Sequence, residues 1–131
     1  MQLAVSIDLV AAALWLDMEP RRKLVLVSLC ENADQEGYCW PSQPYIAIRA
    51  SLTVRWVREH LKELERDGWL KVLRIGKRAS PTERVLNIDR ILVEGRFREA
   101  EYRAAQKGVT VTGYLAETAA NPYLAKKRGT R

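Results

Sequence analysis

Apolar and polar positions over residues 54–67 (VRWVREHLKELERD) recur at helical spacing. At about 100° per residue, Val54, Val57, Leu61 and Leu64 fall on one stripe. Arg55, Arg58, Lys62 and Arg66 fall on or beside the opposite face, with Glu59 interrupting it and Trp56 at its edge. The stripe predicts a helix that packs along one side. A shorter helix is predicted just upstream, starting at Ser42. The Ser42 hydroxyl can accept N–H groups left unpaired in the first turn, and Pro44 sits where a missing N–H is harmless. Ile46 and Ala47 then point into the core. Ala50, Ser51 and Leu52 form a tight turn, Leu52 plugs the angle between the helices, and Thr53 is the N-cap of the second.

The pattern changes after residue 67. Gly68 ends the helix as a left-handed cap. Residues 69–75 (WLKVLRI) and 83–88 (ERVLNI) read as strands. Between them, residues 76–82 (GKRASPT) form a loop with Lys77 and Arg78 at its tip. Helix, turn, helix and a hairpin with a basic tip is the order of a winged helix-turn-helix, with 54–67 as the recognition helix.

The flanking segments follow the same logic. Residues 1–15 are apolar and read as a short strand or extended lead, then a helix from about residue 7 or 8 to 16 that covers the core or a dimer partner. Glu19-Pro20 starts the next helix, whose nearly continuous apolar residues from Leu24 to Cys30 mark it as buried on more than one side. Arg21, Arg22 and Lys23 stand at its start, where the dipole disfavours cations. They either contact phosphate from the helix N-terminus or lie in solvent. Residues 34–37 are a turn, and 38–40 a short strand that pairs with the wing hairpin. Residues 89–107 read as a charged helix with Gly95 as a weak point and Gly108 as its stop. Val93, Phe97, Ala100 and Ala104 form a thin apolar stripe on it, which suits a dimer seam or a helix folded back on its own domain. Thr112 is expected to cap a short helix through residue 120, closed by Asn121-Pro122 and packed back by Tyr114 and Leu115. The ending, LAKKRGTR, is a basic tail, either adding non-specific DNA affinity or simply solvated.

The fold class is therefore α+β, mainly α: a winged helix-turn-helix with a small antiparallel β-hairpin wing over residues 1–88, and a C-terminal helical extension over 89–131. The 131 residues are 47% hydrophobic, enough to bury roughly two-thirds of the chain's surface. A net charge of +6 points to an anionic partner, nucleic acid before membrane. The N-terminal apolar run is too short to span a bilayer, carries Asp8 and lacks a basic n-region. Cys30 and Cys39 do not form a close pair, and His60 is the sole histidine, which is not a zinc pattern. Both cysteines are taken as reduced thiols, with Cys30 in the core; a disulfide is the alternative. There is no Gly-rich phosphate loop and no set of groups for nucleophilic catalysis, so neither an enzyme nor a cofactor is expected. His60 reads as a packing residue or a minor surface contact. Glu63 and Glu65 read as solubilising, and Glu59 and Glu63 repel DNA and so shape specificity.

The stretch from KLVLVSLCENAD through GYCWPSQPYIAIRASLTVRWVREHLKELERDGWLKV resembles the winged helix-turn-helix domains common in phage, plasmid and bacterial regulatory or replication proteins. Those share an apolar helix ending near Ala-Asn or Ala-Asp, a Trp-Pro-Ser or Tyr-Pro-Ser step, the helix-turn-helix, and Leu-x-x-x-Gly-Trp/Leu-Leu. Trp40-Pro41-Ser42, Ala47, Val57, Leu61, Leu64, Gly68 and Leu70 match, over about residues 7–88. Ser51 stands where Gly is common, and Trp56 where a small Thr is usual. The resemblance implies DNA binding but no single biological role, since the domain serves repressors, activators and replication initiators.

The expectation is a sequence-specific double-stranded DNA-binding regulator, repressor-like and of phage or mobile-element type, cytoplasmic and nucleoid-associated. Arg55 and Arg58 read bases in the major groove. Thr53 and Trp56 lie beside them, with Trp56 on a thymine methyl or the sugar-phosphate edge. Ser42, Gln43 and Lys62 hold phosphates, and Lys77 and Arg78 reach the backbone or minor groove from the wing. A homodimer through the C-terminal helices would set two recognition helices on half-sites one turn apart. One alternative is an architectural factor for recombination directionality or replication on repeated sites. Another is a winged-helix module that binds a protein through Trp56 and Trp69.

Overall fold

The computed structural model describes residues 2–77 and 80–120, with the side chains of residues 2–5 and 120 outside that description. In chain order it has α1 (Gln2–Leu14), α2 (Pro20–Glu31), β1 (Tyr38–Cys39), α3 (Gln43–Ala50), α4 (Val54–Arg66), β2 (Leu70–Arg74), β3 (Glu83–Leu86), α5 (Ile88–Lys107) and α6 (Val111–Ala120). The strands form one antiparallel sheet in the order β1-β3-β2. The architecture is the mainly helical α+β winged helix-turn-helix that the pattern predicts.

α2 lies at the centre, packed against α1, α3 and α4. Its Val25, Leu26, Leu29 and Cys30 are fully buried, which accounts for a run of apolar residues too continuous for a one-sided helix. Leu9 and Leu16, Ile46, Val57 and Leu64, and Ile91 close around it from the N-terminal segment, α3, α4 and α5. Cys30 and Cys39 are both buried and free. Burial raises both thiols, Cys39 to about 12 and Cys30 further, so neither forms a reactive thiolate.

The helix-turn-helix is set by local hydrogen bonds. The Ser42 hydroxyl accepts the Tyr45 N–H at 3.2 Å, and the Thr53 hydroxyl accepts the Trp56 N–H at 3.3 Å. Ser51 ends α3 in the left-handed region at φ +56°. It takes there the conformation that glycine adopts most easily. The Leu52 N–H then closes onto the Ala47 carbonyl at 2.9 Å, and its side chain packs against the core. Gly68, at φ +84°, ends α4 the same way, with the Trp69 N–H on the Leu64 carbonyl at 2.9 Å.

Several boundaries differ from expectation. α1 is one helix from Gln2, not a lead followed by a helix from residue 7 or 8. No Gly, Pro or cap interrupts its apolar run, and Ser6 donates to the Cys30 and Glu31 carbonyls at 3.0 and 2.8 Å, satisfying the end of α2. It stops at Leu14, whose carbonyl accepts from Lys23 Nζ at 2.9 Å. β3 ends at Leu86 because Asn87 caps α5, its side chain accepting the Arg90 N–H at 3.2 Å. Gly95 is no weak point: it is buried where α5 crosses α1, and a methyl there would run into the Ala12 backbone. Thr110, not Thr112, precedes α6, its hydroxyl accepting the Gly113 N–H at 2.9 Å. The apolar stripe of α5 divides. Ala100 and Ala104 are buried with Tyr114, while Val93 and Phe97 remain 66% and 50% exposed.

Candidate nucleic-acid interface

Ion pairing separates one set of cations from the rest. Arg22, Arg49, Arg66, Arg74, Arg90, Arg98, Arg103 and Lys107 each face a carboxylate of the same chain. Arg55, Arg58 and Lys62 on α4, Lys71 and Lys77 on the wing hairpin, and Arg96 alone on α5 are exposed and have no ion pair among the described residues. A cation without an internal partner keeps its full charge for an external anion. Arg can fork onto guanine or phosphate, and Lys can neutralise phosphate. Glu59, also exposed, breaks this surface and disfavours a phosphate at its own position.

The expected site residues are distributed as follows. Arg55, Arg58 and Lys62 share the outward side of α4, opposite the buried Val57, Leu61 and Leu64. Thr53 caps the start of that helix. Ser42 and Gln43 stand at the start of α3, Ser42 exposed. The Ser42 oxygen accepts the Tyr45 N–H, leaving its own proton to donate outward. Lys77 stands apart at the wing tip, where Lys77 N–H donates to the Ser80 carbonyl at 2.8 Å and Ser80 N–H to the Lys77 carbonyl at 3.1 Å. The expected wing contact Arg78 and the basic tail lie outside the described residues. Trp56 is 45% exposed at the edge of α4. It stacks on His60 at 5.8 Å between ring centroids, with the Arg21 guanidinium 5.1 Å from its own centroid.

Arg21, Arg22 and Lys23 each have a partner inside the protein, Arg21 while lying exposed to solvent. Arg21 pairs with Glu19 at 3.6 Å, and Lys23 caps α1. Arg22 Nε donates to Glu63 Oε1 at 3.1 Å, and its Nη1 lies 3.5 Å from Asp67. Glu63 Oε1 is also 2.9 Å from His60 Nδ1. The His60 hydrogen bond, with Arg22 assisting, holds the Glu63 carboxyl below the usual carboxylate value. Glu63 therefore ties the recognition helix to α2 rather than merely solubilising it. At the other end of α4, an Arg90 guanidinium N–H donates to the Asp67 carbonyl, and the guanidinium lies 3.8 Å from the Trp69 ring centroid.

Three features escaped sequence reasoning. Lys71 is one of the unpaired cations, and only its outward register on β2 marks it. Arg84 is 6% exposed on the inward side of β3, its Nε unpaired. Burial lowers its affinity for a proton, with Cys39 and Glu65 acting the other way. Its period-two relation to buried Leu86 was a legible signal. The Arg22–Glu63 tie joins residues 41 apart and left no local trace. Among the described residues, no group of three or more His, Cys, Asp or Glu could hold a metal ion, and no helix is long and apolar enough to cross a membrane.

A tri-helical core, a helix-turn-helix with an outward basic face and a three-stranded wing define a winged helix-turn-helix. Residues 16–70, from the end of the first helical segment to the first residue of β2, match the family model described as a helix-turn-helix domain. A helix-turn-helix domain over that segment supports DNA binding. Searches of curated proteins and of solved structures found no match to the chain.

Proposed function

We propose that this protein is a sequence-specific regulator of transcription, repressor-like and of phage or mobile-element type, that acts on duplex DNA in the cytoplasm at the nucleoid. It works by binding and performs no catalysis. The observation that carries this reading is the concentration of unpaired cations on the outward side of α4 and on the wing, within a helix-turn-helix domain. Arg55 and Arg58 read base edges, Lys62, Ser42 and Gln43 hold phosphates, and Lys77 with Arg78 reaches from the wing. Thr53 fixes the start of the reading helix, and Trp56 sets its side toward α2.

The regulator acts as a homodimer joined through α5 and α6. α6 packs on α5 over a small cluster of Ala100, Ala104, Tyr114 and Val111. Beside it an open groove of about 320 Å³ is lined by Val93, Phe97, Tyr114 and Leu115 among others. A second copy of the same hairpin would cover those apolar residues and complete a four-helix core. Selection of bound sequences from random duplex DNA tests both statements. Enriched inverted repeats support a dimeric regulator. Enriched direct repeats replace it with an architectural factor, and no enrichment replaces it with a protein-binding module.

A further inference from the structure

We propose that His60 is a positioning residue for the recognition helix: its protonation completes a bridge from Glu63 of α4 to Glu19 at the start of α2, and DNA binding tightens as that bridge forms. The inference rests on the DNA-binding reading of α4.

His60 projects from the recognition helix toward α2 and is 5% exposed. Its Nδ1 lies 2.9 Å from Glu63 Oε1. Its Nε2 is buried without a hydrogen-bond partner and faces Glu19 Oε1 at 3.9 Å. With Nδ1–H donating to Glu63, a neutral ring presents the Nε2 lone pair to a carboxylate oxygen. Two acceptors then face each other, and a buried acceptor goes unsatisfied, an arrangement that is unfavourable on both counts. The proton that forms an imidazolium lands on Nε2, converts it to a donor and lets it draw Glu19 in from 3.9 Å. Both ring nitrogens then hold carboxylates, one on each helix.

The other charged groups facing the ring are accounted for. From α2, Arg22 shares Glu63 at 3.1 Å and reaches Asp67 at 3.5 Å. Arg21 lies over Trp56 and pairs with Glu19 at 3.6 Å, so it shares with His60 the carboxylate that the bridge uses. From α4, the facing group is Glu63. Glu19 is also the N-cap of α2, its Oε1 accepting the Arg22 N–H at 2.9 Å, so the bridge anchors α4 to the first turn of the central helix. His60 is the only histidine in the chain.

The test uses the full chain, Glu19→Gln and His60→Gln. Glutamine at position 19 retains a carbonyl oxygen for the cap and removes the charge. Affinity for a fluorescent random-sequence duplex is measured at about pH 7.5 and pH 5.5 at fixed ionic strength, alongside thermal melting without DNA. The parent chain should bind several-fold more tightly and melt higher at the lower pH, and both variants should lose the dependence. A parent chain whose melting ignores pH, or a Glu19→Gln variant that melts with the parent's pH response, overturns the bridge. A bridge seen in melting with DNA affinity independent of pH overturns the positioning role. A bridge seen in melting with no DNA binding at either pH overturns the DNA reading and with it the positioning role, while leaving the bridge standing.

Discussion

Lys62 and Arg66 are both exposed on α4, one helical turn apart, yet only Arg66 has a carboxylate partner, Asp67 at 3.0 Å. The two should therefore behave differently against DNA. Lys62→Ala removes one cation available to a phosphate. Each phosphate neutralised contributes about 0.9 to the slope of log affinity against log salt. Losing one flattens that slope by about one unit. Over a fourfold rise in salt, from about 50 to 200 mM, that is about a 3.5-fold smaller loss of affinity. Arg66→Ala removes a guanidinium already countered by its neighbour and should leave the slope within about 0.3 of the parent. Anisotropy titrations of one duplex at stepped salt read both values. Equal flattening by the two variants would refute the use of internal pairing to mark the interface. An unchanged slope in Lys62→Ala would remove that residue from the phosphate contacts.

Other outcomes follow from the same geometry. Gly95→Ala should lower stability by about 1–3 kcal/mol or more, because α1 and α5 must part to admit the methyl; denaturant unfolding that matches the parent would place the crossing elsewhere. Thr53→Ala should cost about 0.5–2 kcal/mol in the same assay through loss of the α4 cap, and a neutral result would mean the hydroxyl is dispensable there. The His60 hydrogen bond holds the Glu63 carboxyl below its ordinary, unfolded-state value. Its contribution is therefore present above that unfolded-state value and lost as pH falls through the lower folded one. Glu63→Gln should destabilise the chain at neutral pH and show a shallower loss of stability on acidification below about pH 4.5, whereas an acid profile parallel to the parent's would count against the tie to α2.

The helix-turn-helix was legible because its determinants act locally. Ser42 and Thr53 each cap an N–H three residues on, and Gly68 fixes a turn by its own backbone angle. The central position of α2 was legible because all-round burial demands an uninterrupted apolar run. What failed depends on partners remote in sequence. Gly95 looks like a helix weakness until Ala12 is seen against it. Ser6 satisfies carbonyls 24 and 25 residues away, so nothing nearby announces that α1 begins at Gln2. A helical wheel places Trp56 at an edge but cannot say that this edge meets Arg21. The charge on α4 was visible in the sequence, but which cations are free emerged only with their partners in place.

The most direct measurement is selection of the purified chain against random duplex DNA at physiological salt, with Arg55→Ala in parallel. Specific readout by α4 requires an enriched motif for the parent and a loss of about 1–3 kcal/mol at the cognate site in the variant, relaxed at one base position. Equal losses on every sequence would make Arg55 a phosphate contact, and no enriched motif from a folded parent chain would contradict sequence-specific regulation altogether.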